Sequence, residues 1–121
     1  MNKFNTRSAH SEDRVTLWLE GEVTLETTGT LRDAITEAHR ESQRVHAKEL
    51  IIDFTQLDFL NSSGIKHLVT WVNSVVQLPP EQRYQVRLRS NPLIPWQRRS
   101  LTTLKYFAPD LVMIESVTPA P

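Results

Sequence analysis

No cysteine occurs among the 121 residues. Disulfides, thiolate zinc sites and cysteine-based catalysis are therefore excluded. Neither sign of charge is in excess: 14 Lys and Arg stand against 14 Asp and Glu, so the global balance points neither to a nucleic-acid binder nor to an acidic tail. No apolar run approaches the ~18 residues of a membrane span. The stretch Met1-Asn2-Lys3-Phe4-Asn5-Thr6-Arg7 also lacks the apolar core of about 7–15 residues that a secretory signal needs. The expected compartment is the cytoplasm, with no direct membrane insertion. The histidines His10, His39, His46 and His67 show no ligand spacing such as an i,i+4 pair. They read as surface residues, and no metal or cofactor is expected.

The length suits one domain with a single continuous core. Residues 1–13 are polar and read as a flexible N-terminal arm, residues 14–116 as the folded domain and 117–121 as a C-terminal tail. Val15, Leu17 and Leu19 alternate as in a strand, and Gly21 before Glu22-Val23-Thr24-Leu25 suggests a bend or a hairpin. Leu31, Ala34, Ile35 and Ala38 share one helical face. Glu49 to Phe54 is nearly continuously apolar and suits a central strand covered on both faces. Ile65, Leu68, Val69, Val72, Val75 and Val76 form a helical stripe that Pro79-Pro80 ends. Tyr84 to Arg89 alternates, Pro95 can open a helix running toward Phe107, and Leu111 to Ile114 supplies a last short strand. Strands alternating with helices predict an α/β domain: a mixed central sheet, its later strands largely parallel, packed against helices.

The most informative stretch joins the central strand to the striped helix. Asp53 ends the apolar run, Leu57 to Leu60 form a short link, and Asn61-Ser62-Ser63-Gly64 open the helix. Hydroxyls at a helix N-terminus lie beside unpaired amides and the positive end of the helix dipole, where a phosphate is stabilised. In parallel sheets functional loops gather at the carboxyl ends of strands, and the Asp53–Ser62 connection leaves such an end.

Those residues resemble the STAS domain, the family of the bacterial anti-sigma factor antagonists. Its signature is an apolar strand ending in Asp, a short apolar link, then Asp-Ser-x-Gly and an apolar helix. It is matched here by Leu50-Ile51-Ile52-Asp53, Leu57 to Leu60 and Asn61-Ser62-Ser63-Gly64-Ile65. The resemblance implies a non-catalytic partner switch. In it a serine kinase of the histidine-kinase-like ATPase fold phosphorylates the motif serine, and a metal-dependent phosphatase removes the phosphate. The unphosphorylated form binds its partner around that serine, and the phosphorylated form lets go. By position the acceptor is Ser62, with Ser63 as fallback. Asn61 departs from the usual Asp; it can still cap the helix, but the negative charge is lost.

Plainer readings stand beside this one. Ser62 and Ser63 also suit ordinary helix starts. Asp53 and Asp58 read as a strand-end acid and a solvated loop acid rather than a catalytic pair, with Asp53 expected to shape the acceptor loop. Trp71 is either peripheral core or a half-exposed interface anchor. With Lys66, Asn73, the two serines, Asn61, Asp58 and Gly64 it outlines the expected partner face. From Glu81 to Pro109 six basic residues (Arg83, Arg87, Arg89, Arg98, Arg99 and Lys105) face the single acid Glu81. That excess reads as solvated faces, because no nucleic-acid motif accompanies it. Two further functional classes remain: an accessory docking subunit of a membrane transport assembly without phosphorylation, and a small-molecule or nucleotide sensor using the same loop.

Overall fold

The computed structural model describes residues 3–118. In chain order its elements are strands β1 (Phe4–Ser11) and β2 (Arg14–Val23), helix α1 (Thr28–Arg44), strand β3 (Glu49–Leu60), helix α2 (Ser62–Val76), strand β4 (Gln85–Ser90), helix α3 (Pro95–Phe107) and strand β5 (Val112–Ser116). The strands form one five-stranded sheet in the order β1-β2-β3-β4-β5. β1 and β2 pair antiparallel, and every later pairing is parallel. The chain is thus a single α/β domain with a mixed sheet, as the pattern of elements predicts.

Side-chain alternation decides where the core lies. Val15, Leu50, Val86 and Val112 stand in register across the parallel strands, as do Leu17, Ile52, Leu88 and Ile114. These rows join the inward residues Leu31 and Ile35 of α1, Leu68 and Val72 of α2, and Leu101 and Leu104 of α3 in one hydrophobic cluster. Leu50, Ile52 and Phe54 are completely buried there, each worth about 1.5–3 kcal/mol of transfer free energy.

The three helices cover only this face, which corrects the expectation of a central strand covered on both. The other face is closed by its own side chains. Arg87 Nε lies 3.0 Å from Glu49 Oε2, Arg89 Nε 3.2 Å from Glu115 Oε1 and Arg89 Nη1 3.9 Å from Asp53 Oδ2. The guanidinium of Arg7 stacks 4.1 Å above the Trp18 ring. Ile51 is buried in this polar layer, with Thr16 and Arg87 as its register neighbours.

Two further expectations are corrected. Residues 4–11 of the expected arm form β1, paired from Phe4 opposite Gly21 to Ser11 opposite Arg14. Only Phe4 of that strand is buried. An edge strand whose side chains point into solvent has no apolar alternation to read, and its turn at Glu12 takes a positive φ of 57° without glycine, so the usual hairpin signal is missing. Secondly, β3 does not end at Asp53. It runs on to Leu60, past its last β4 partner, paired there with β2 alone. Of the expected tail, residues 119–121 lie outside the described residues.

Candidate functional site at the start of helix α2

Asn61 is the N-cap of α2, with φ −76° and ψ 170°. Its Oδ1 accepts the Gly64 amide at 2.8 Å, which satisfies one of the amides that a helix start leaves open. That assignment turns Nδ2 outward, and Nδ2 donates to Thr28 Oγ1 at 3.1 Å; the Thr28 hydroxyl in turn donates to Thr24 O at 2.6 Å. The Asn61 amide donates to Val23 O at 3.1 Å. One side chain therefore ties the starts of α1 and α2 together at the ends of β2 and β3. An aspartate would cap equally well but could not donate to Thr28. The departure from Asp at this position thus has a structural role.

Gly64 is buried because nothing larger fits. A Cβ there would stand 2.4 Å from Leu60 Cδ1, 3.1 Å from Asn61 Oδ1 and 3.2 Å from Leu31 Cδ2. This closeness presses the first turn of α2 onto α1 and leaves Ser62 and Ser63 outside. Both serines are exposed, and neither hydroxyl bonds to another described residue. Their amides precede the first intrahelical hydrogen bond, so they and the dipole can receive an anion at this spot. Lys66 is exposed four residues after Ser62, the spacing at which helical side chains meet.

The structure gathers only some of the expected site residues. Asn61, Ser62, Ser63, Gly64 and Lys66 share the first turns of α2. Asp58 is exposed just before them, unpaired where the β2–β3 register slips between Gly21 opposite Leu57 and Glu22 opposite Phe59. Asp53 is elsewhere: seven residues before the end of β3, it lies roughly 20 Å back along the strand at about 3.3 Å per residue. Its Oδ1 accepts from the Thr55 amide at 2.9 Å and the Thr55 hydroxyl at 2.6 Å. It lies on the open sheet face beside Arg89, away from the start of α2 and from the loop it was expected to shape.

Of the two readings of Trp71 the structure has the core one, which takes it out of the expected partner face. It is 5% exposed, and its Nε1 donates to the Tyr84 hydroxyl at 2.9 Å. An indole with its face in the core and its polar atom satisfied is not an interface anchor.

Residues that the sequence reading passed over complete the surface. Leu25 is 89%, Leu93 73% and Phe59 47% exposed. Leu25 follows β2, Phe59 is next to last in β3 and Leu93 follows β4, so all occupy the carboxyl edge of the sheet with Ser62. Only Leu25, an apolar residue between Thr24 and Glu26 in a polar connection, carried a local signal. Among the described residues no group of His, Asp and Glu could hold a metal ion.

The family model described as the STAS domain matches residues 6–78. An anti-sigma factor antagonist from Mycobacterium paratuberculosis is similar in structure, with a TM-score of 0.69 and 19% identity over 93% of this chain and 86% of that one. The anti-sigma factor antagonist SpoIIAA in its unphosphorylated form gives 0.56 and 16% over 98% and 90%. The Bacillus cell fate determinant SpoIIAA in the phosphorylated form gives 0.54 and 18% over 93% and 90%. No curated protein matches the sequence.

Proposed function

The chain belongs to the STAS domain family, and we propose that it is a regulatory partner-switch protein whose binding state is set by phosphorylation of Ser62. The observation that carries this reading is the pair of exposed, unbonded hydroxyls held at a rigidly capped helix start. Two of the similar structures are an unphosphorylated and a phosphorylated form of one antagonist, which supports the same reading. The switch needs no catalysis by this chain. A serine kinase of the histidine-kinase-like ATPase fold adds the phosphate, and a metal-dependent phosphatase removes it. The kinase or an anti-sigma-type protein is also the binding partner, and the setting is the cytoplasm.

The physics is local. Phosphate adds about −1.5 to −2 charges at pH 7 to a neutral hydroxyl. The helix start and Lys66 receive it, the dipole contributing about 0.3–1 kcal/mol at an exposed site. Because Asn61 and Gly64 already fix the turn, the domain need not refold to hold the group. A partner packed over Leu25, Phe59 and the serines instead meets a charged, hydrated body inside an apolar contact, and desolvating it drives release. Ser62→Ala is expected to bind constitutively and Ser62→Asp weakly. Partner affinity measured by calorimetry for both variants checks this, and equal affinities would overturn the switch.

A further inference from the structure

At the edge of the sheet opposite Ser62 the chain leaves a cleft of about 500 Å3. It opens where α2 and α3 end, at Val76 and Phe107, and where β4 and β5 begin. Val76, Phe107 and Leu111 give it apolar walls. Phe107 is 61% exposed, so its ring is accessible to a ligand in the hollow. Lys48 and Arg83 stand on the same walls. Arg83 Nε donates to Leu78 O at 2.8 Å, which holds the guanidinium at the rim. Among the described residues neither cation has a carboxylate within 4.0 Å, although Glu81 and Asp110 are close in sequence or lining. A second hollow of about 280 Å3, lined by Gln43, His46, Glu81 and Gln82 among others, shares Lys48 and Arg83 with the first. The two cations therefore stand between an apolar hollow and a polar one.

We propose that this cleft binds a small amphipathic anion, its apolar body against Val76, Phe107 and Leu111 and its carboxylate or phosphate head on Lys48 and Arg83. The volume falls in the range of small-molecule sites, about 300–1,000 Å3. A neutral ligand would leave both cations unused, and Asp110 on the same lining directs an anionic head to the Lys48 and Arg83 side. A fully polar anion would gain nothing from the phenyl ring. The site shares no residue with the first turn of α2 and stands independently of the switch at Ser62.

Titration of the full chain with octanoate and with octyl phosphate tests it, followed by amide chemical shifts of Gln85 and Leu111. Saturable shifts at these positions are expected, with affinity rising about fourfold per methylene from butyrate to octanoate. Lys48→Ala with Arg83→Ala is expected to weaken both ligands by at least about tenfold, at unchanged thermal stability. Phe107→Ala is expected to weaken octanoate more than butyrate. Octanol binding as tightly as octanoate, affinity unchanged in the double variant, or no saturation at millimolar ligand would each overturn the proposal.

Discussion

Asn61 links a helix cap, a helix pair and the exposed Ser62–Ser63 turn through one short amide. Replacing it with alanine removes the bond to Gly64 N and the bond to Thr28 Oγ1. The expected cost is about 1–2 kcal/mol, read as a lower urea midpoint at unchanged slope. A loss of only a few tenths would mean that the cap does not hold the site. Tyr84 shows a second residue-scale dependence. Its hydroxyl accepts from Trp71 Nε1 at 2.9 Å and meets His39 Nδ1 at 2.5 Å. An indole nitrogen only donates, which leaves the hydroxyl hydrogen free to bond Nδ1 of a neutral His39. Burial lowers the His39 pKa from 6.5 and raises that of Tyr84. The unfolded chain thus takes up this proton before the folded one does. The contribution is complete above pH 6.5 and is lost as pH falls through the lowered value. Urea midpoints between neutral and mildly acidic pH are expected to fall more steeply in the native chain than in His39→Gln. Parallel curves would contradict this assignment.

At the scale of elements, what the sequence made legible and what it hid have separate physical causes. α2 was readable because its stripe, its N-terminal Asn-Ser-Ser-Gly and its terminating prolines agree. The far half of β3 was not. Beyond Asp53 it loses β4, and side chains distant in sequence satisfy its carbonyls. Gln97 Nε2 donates to Phe54 O at 2.6 Å and Leu57 O at 3.0 Å, Trp96 Nε1 to Leu57 O at 3.2 Å and Asn91 Nδ2 to Thr55 O at 3.2 Å. No local pattern announces such partners, and a glutamine inside an amphipathic helix gives no hint of complete burial. The motif therefore set the start of α2 at Ser62, where the structure has it, while placing Asp53 too near it, because the segment between them is strand and not a short link. Gln97→Ala tests the arrangement. It leaves two carbonyls and the Asn91 amide, bonded to Gln97 Oε1 at 2.7 Å, without partners. The expected cost is about 2–4 kcal/mol, with faster hydrogen exchange at Asn91. Exchange at the native rate would show that β3 is held by other means.

For the whole molecule, the helices and the core occupy one side of the sheet and a neutralised ion-pair layer the other. The basic excess between Glu81 and Pro109 dissolves accordingly: Arg87 and Arg89 are paired in that layer, while Arg98 and Arg99 are exposed on α3. No helix among the described residues is long and apolar enough to cross a membrane. The two proposed binding surfaces lie at opposite ends of the strands, the capped serine turn at one and the cleft at the other. The central claim concerns the first, and intact-mass analysis of the protein isolated from its own host tests it most directly. The account predicts a fraction heavier by one phosphate that is absent from Ser62→Ala; a chain that is never modified, or whose phosphate persists in that variant, would contradict it.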